Sequence, residues 1–141
     1  MSLFKSLDVA GSALMAQSVR MNTTASNLAN ADTISSSTDQ TYRARHPVFQ
    51  AVLREQMGAA EGAASGGVRV LGVVESQAPP QPEYRPEHPL ADDKGYIYRP
   101  NVNPVEEMAN LLSASHSYRS NIEVINASKQ MLLRTLQLGQ G

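Results

Sequence analysis

Residues 104–138 read PVEEMANLLSASHSYRSNIEVINASKQMLLRTLQL, and the rhythm of this stretch decides the fold. Met108, Leu111, Ser115, Tyr118, Ile122, Ile125, Lys129, Leu132 and Leu136 recur at alternating spacings of three and four, and seven of these nine are apolar. That is the repeat of a coiled-coil seam. Its start is marked: Asn103 is positioned to cap, Pro104 takes the first helical position where a missing N–H costs nothing, and Glu106 and Glu107 favour the positive end of the helix dipole. Gly139 is a natural stop.

The other end of the chain repeats the pattern. Leu3, Leu7, Ala10, Leu14, Gln17, Met21, Thr24 and Leu28 keep the same rhythm through a second predicted helix, from about Ser2 to Asn30. Two distant ends with matched seams imply a chain that folds back on itself or pairs its ends with other subunits. The expected fold is therefore mainly α, with a small irregular β middle and the long N- and C-terminal helices paired as an antiparallel coiled-coil hairpin. Gln17, Thr24, Ser115 and Lys129 interrupt the seams, and such polar positions can set register and partner choice.

Charge sharpens the reading of the first helix. Residues 3–30 contain only Lys5, Asp8 and Arg20 as charged side chains, whereas a lone surface helix normally carries a well-charged outer face. Sparse charge suits a helix contacted on several sides. Gly11 and the polar run Asn22–Asn30 make it a poor helix in isolation, so neighbours must supply its stability.

Between the helices the composition changes. Residues 31–41 form a loop by composition. Tyr42–Phe49 reads as a short strand that Pro47 confines to an edge, and Gln50–Met57 as a helical turn or two. Residues 58–67, GAAEGAASGG, read as a flexible linker. Val68–Val74 is a predicted strand, residues 79–89 are too proline-rich to be anything but extended, and Tyr96–Tyr98 is a further short strand. The division that follows is a helical domain from 1–30 and 104–141 and an outer segment from 31–103.

Chemistry is hard to place on this chain. With no cysteine among 141 residues, disulfides and thiolate metal sites are excluded. His46, His88 and His116 match no metal-ligand spacing. Ser113, Ser115 and Ser117 flank His116, but neighbouring helical positions point to different faces. No catalytic residue, cofactor or metal is expected. A net charge of −1 offers no footprint for nucleic acid. No apolar run reaches the roughly 20 residues that span a bilayer, and the N-terminus lacks a cleavable signal pattern, so composition by itself points to the cytoplasm unless export takes another route. A structural subunit is expected, with a soluble helical adaptor as the alternative.

The segment Ala25-Ser-Asn-Leu-Ala-Asn-Ala-Asp-Thr33 resembles the signature of the axial proteins of the bacterial flagellum, which form its rod, hook and hook-associated parts. Asp92-Asp-Lys-Gly-Tyr96, Pro100-Asn-Val-Asn103, Val105-Glu-Glu-Met108 and Ser113–Tyr118 resemble a proximal rod protein of that family, or a sister rod protein. The resemblance implies that Ala25, Asn27, Leu28, Ala29, Asn30 and Thr33, together with Asn101, Asn103, Pro104, Glu106 and Glu107, are family motif positions. It further implies a helical tube built by terminal helices. The implied partners are other rod proteins, further copies of the chain and the flagellar type III export apparatus. The expected location is the periplasmic rod of the basal body, with no direct membrane insertion.

Overall fold

The computed structural model describes residues 3–54 and 65–139. Helix α1 (Leu3–Asn30) is followed by strands β1 (Arg45–Arg54), β2 (Ser65–Glu75), β3 (Gln81–Tyr84) and β4 (Tyr96–Arg99), and helix α2 (Pro104–Leu138) closes the chain. Strands β1 and β2 pair as one two-stranded sheet, and β3 and β4 as another.

Four sequence expectations are corrected here. The β middle is not irregular: it consists of two regular two-stranded sheets. Gln50–Arg54 continues β1 instead of turning into helix. Pairing with β2 outweighs local propensity, as cross-strand partners commonly do. Ser65–Gly67, expected to be linker, begin β2, while the remainder of that linker lies outside the described residues.

The fourth correction concerns the coiled-coil hairpin, which the structure does not show. Along α2 Glu107, Ala114 and Ser128 are buried, and Leu111, Tyr118, Asn121, Ile125 and Leu132 are among the half-buried positions. Among the expected seam positions, Met108, Ile122 and Lys129 are exposed, while Glu107, Asn121 and Ser128 one residue before them lie further inward. Met108 and Leu136 are mostly exposed instead. The physical reason lies in polar contacts at the start of α2, where Glu107 Oε2 accepts from Asn27 at 3.0 Å and hydrogen bonds replace interlocking leucines. Arg20 donates to Asn110 Oδ1 at 3.1 Å, a contact no apolar seam would contain.

Two compact units make up the chain. One comprises Met1–Val19, Val48–Gly72 and Ser113–Gly141, and the other Arg20–Pro47 and Val73–Leu112. In the first, Ala10, Ala16, Ala114 and Ser128 are buried. The Ser12 hydroxyl donates to the Val9 carbonyl at 2.8 Å and accepts the Val68 N–H at 3.1 Å, tying α1 to β2.

The second unit has its apolar centre at Ala31, Ala44 and Val102, flanked by Tyr42. Strand β3 pairs antiparallel with β4 in the register Gln81 to Arg99 and Tyr84 to Tyr96. The fully buried Ile97 sits on the inner face of this hairpin. Tyr84 and Tyr96 close its end edge to face, with ring centroids 5.2 Å apart. Gly95 enters β4 at φ +81°, and a Cβ there would lie 2.9 Å from Tyr84 Cε2. Only glycine meets both demands.

Candidate functional site

Asn27 is 1% exposed and uses its whole amide. Its Nδ2 donates to the Arg45 carbonyl at 2.8 Å and to Glu107 Oε2 at 3.0 Å. Its Oδ1 accepts the Arg45 N–H at 2.9 Å and the Tyr42 hydroxyl at 2.9 Å. One side chain thus joins the end of α1, the entry to β1 and the first turn of α2. Buried polar groups need partners, and here each partner is itself held. The Tyr42 hydroxyl lies 3.2 Å from Ser26 Oγ, and the Arg45 guanidinium sits 5.5 Å from the centre of the Tyr42 ring. Glu107, expected to act on the helix dipole, is buried in this cluster.

Asn101 makes a second bridge. Its Oδ1 accepts the Ala44 N–H at 2.8 Å, and its Nδ2 donates to the Ala78 carbonyl at 2.8 Å. Two residues on, Asn103 Oδ1 accepts the Val105 N–H at 3.1 Å, and the Asn103 carbonyl receives the Glu107 N–H at 3.0 Å, starting α2 behind Pro104. At the far end of the Ala25–Thr33 motif, Asn30 Nδ2 donates to the Ser26 carbonyl and Thr33 Oγ1 to the Asn30 carbonyl, both at 2.8 Å. The asparagines of both motifs therefore wire the second unit internally.

Asp92, in the turn before β4, collects three donors. Its Oδ1 accepts the N–H groups of Lys94 at 2.9 Å and Tyr96 at 2.8 Å, and its Oδ2 the Tyr98 hydroxyl at 3.1 Å. The Tyr96 N–H foremost, with the Lys94 N–H and the Tyr98 hydroxyl, holds the Asp92 carboxyl below its usual 3.8. The same hydrogen bond raises the Tyr98 phenol above its ordinary value. Because the folded carboxyl titrates lower than the unfolded one, its stabilisation is present above about pH 4 and lost as pH falls through the folded value. Asp92→Asn should lower the urea midpoint at neutral pH and flatten its fall below about pH 4. Urea titrations of both proteins across that range measure this, and parallel curves would refute it.

The remaining predicted positions divide by exposure. On α1, Leu3, Leu7, Leu14, Met21 and Leu28 are half-buried and Ala10 is buried, while Ala25 and Ala29 face outward with Phe4 and Met15. On α2, Leu111, Tyr118, Ile125 and Leu132 are half-buried, while Met108, Ile122 and Leu136 are exposed beside Val105 and Leu112. Val105, Met108 and Leu112 lie three and four residues apart and share one face. In the first unit an open groove of about 850 Å³ is lined by Asp8, Ser12, Met15 and Val19 of α1, by Val68 and by Tyr118. Sequence reasoning missed Tyr42 and Arg45 as partners of Asn27, and no spacing rule links positions so far apart. Among the described residues no group of three His, Asp or Glu could hold a metal ion, and no helix is long and apolar enough to cross a membrane.

Comparison with known proteins gives one consistent answer. Residues 7–34 match the family model for flagella basal body rod protein, and residues 93–138 match that for flagellar basal body rod FlgEFG protein C-terminal. The flagellar basal-body rod protein FlgC of Escherichia coli O6:H1 is 54% identical over 140 residues, covering 99% of this chain and 100% of that protein. FlgC of Salmonella typhimurium is also 54% identical with the same coverage. FlgC of Bacillus subtilis is 36% identical over 151 residues, again covering 99% and 100%.

Proposed function

The chain belongs to the FlgC family of flagellar basal-body rod proteins, and from that premise we propose that it builds the proximal part of the rod through the outward faces of its two long helices. It is a structural subunit of the flagellar basal body and assembles with other flagellar components. The observation that carries this is similarity from end to end: 54% identity over 99% of the chain to proteins of that name.

Within that role the helices divide the work. The half-buried positions of the two seams hold the subunit together. Phe4, Met15, Ala25 and Ala29 on α1, and Val105, Met108, Leu112, Ile122 and Leu136 on α2, contact neighbouring rod subunits and further copies of the chain. Large apolar side chains left in water on one helix face are the usual mark of a surface awaiting a partner. Contacts between unlike patches repeat without closing, which builds a helical tube and not a dimer. The chain reaches the periplasmic rod through the flagellar type III export apparatus. The weak helix propensity of Asn22–Asn30 is offset within the subunit by buried contacts such as those of Asn27.

The test is a double substitution on one exposed face. Val105→Asp with Leu112→Asp places two charges where a neighbour would sit and touches no buried partner. In the native bacterium the swimming halo should shrink to that of a deletion strain, and purified basal bodies should lack the subunit. The melting temperature of the isolated protein should move by less than about 4 °C, as expected for surface changes. Wild-type motility with normal rods would refute this face as an assembly surface.

A further inference from the structure

The chain has six methionines and no cysteine, so the thioether is its only sulfur chemistry. Among the described residues the methionines differ sharply in access. Met15, Met108 and Met131 are 73%, 53% and 49% exposed, whereas Met21 is half-buried on α1. Met15 and Met108 also stand inside apolar surface. Met108 lies between Val105 and Leu112, both more exposed than itself. Met15 lines the groove of the first unit with Val19, Val68 and Tyr118. Each of these patches depends on a residue whose polarity an oxidant can reverse.

We propose that Met15 and Met108 are oxidation sites through which hydroperoxides disable the free subunit for rod assembly. This rests on the assembly role proposed above. In the reaction the thioether sulfur attacks one peroxide oxygen: an S–O bond forms, the O–O bond breaks and sulfur gives up two electrons. The proton on the transferred oxygen passes to the departing one, so hydrogen peroxide leaves as water and methionine becomes the sulfoxide. The new oxygen is a strong acceptor on a face meant to be buried against a neighbour. Covering it without a donor opposes association. Once the subunit is in the rod, the same contacts shield the sulfur.

Hydrogen peroxide is the probe, and peptide mass spectrometry of the full-length chain is the readout. In the free subunit, sulfoxide should form several-fold faster at Met15 and Met108 than at Met21. In purified basal bodies both sites should react several-fold more slowly than in the free subunit. In cells pulsed with peroxide during rod assembly, subunits recovered from rods should be several-fold poorer in sulfoxide at these two positions than unincorporated subunits. A Met15→Leu/Met108→Leu protein, scored against its own untreated control, should lose less incorporation on treatment than the parent does. Equal rates at Met21, no protection in basal bodies, or equal sulfoxide in the incorporated and free pools would each overturn the proposal. Absence of the chain from basal bodies would overturn the rod reading itself, a result distinguishable from all of these.

Discussion

Asn27→Ala is expected to lower the unfolding free energy of the second unit by about 3–5 kcal/mol, because it removes four hydrogen bonds at once. The Arg45 N–H and carbonyl, the Tyr42 hydroxyl and the Glu107 carboxylate all meet this one amide. An orphaned buried polar group costs about 1–3 kcal/mol, and entering water recovers part of it. Small domains are stable by only about 5–15 kcal/mol, so the variant should sit close to unfolding at growth temperature. Asn27→Asp separates the donor half of the amide from the acceptor half. It keeps both acceptor contacts but turns a second carboxylate toward Glu107 and removes the donor to the Arg45 carbonyl. It should be at least as damaging at neutral pH, and partly relieved in mild acid as the added carboxyl protonates. Urea titration followed by circular dichroism measures both, and an unchanged midpoint for either variant would refute the hub.

Truncation should show an equally sharp contrast. Removing residues 1–19 takes away the α1 portion of the first unit and leaves Arg20–Asn30 in place, so the second unit should keep a cooperative unfolding transition. Removing residues 1–30 also takes away the buried Thr23, Thr24 and Asn27, and no cooperative transition should survive. Both truncations should abolish motility, because both delete Phe4 and Met15 from the assembly face. Limited proteolysis and amide proton dispersion distinguish the two proteins. Matching behaviour, folded or unfolded, would show that the second unit does not depend on the end of α1.

The short motifs do their work through partners that lie far away in the chain. Asn27 and Asn30 stood out in the Ala25–Thr33 segment, and Asn101 and Asn103 ahead of α2. Their residue types already said that polar groups were needed there. What they were needed for depended on partners far away in sequence: Arg45 is 18 residues from Asn27, and Glu107 is 80. Family resemblance identified these positions without supplying their job, which is internal wiring. The outward face of α2 shows the opposite case. Val105 belonged to the Val105–Met108 motif and Leu112 to none, yet they stand 75% and 71% exposed.

Strands were legible only in part. Alternating apolar residues marked Val68–Val74 and Tyr96–Tyr98 as extended. Gln50–Arg54 was ambiguous because its helix or strand choice rests on whether β2 lies alongside. The proline-rich 79–89 segment read as extended throughout, but only Gln81–Tyr84 is. Residues 86–89 turn, with the His88 N–H donating to the Arg85 carbonyl at 3.1 Å, and the pairing of β3 with Tyr96–Arg99 is a long-range event that composition does not encode.

Residue order alone settled the two long helices, the capped start at Asn103 and the stop at Gly139. Local rules sufficed because hydrophobic period, caps and glycine act within a turn or two of chain. It also settled the family, since the motif residues are contiguous. Tertiary structure decided which neighbour in each polar–apolar pair of α2 turned inward. The heptad rhythm is shared by 107/114/121/128 and 108/115/122/129, and a period cannot tell adjacent registers apart. Asn27 decides it at the start of α2: by holding Glu107 it turns that side of the helix inward and leaves Met108 and its apolar neighbours facing out.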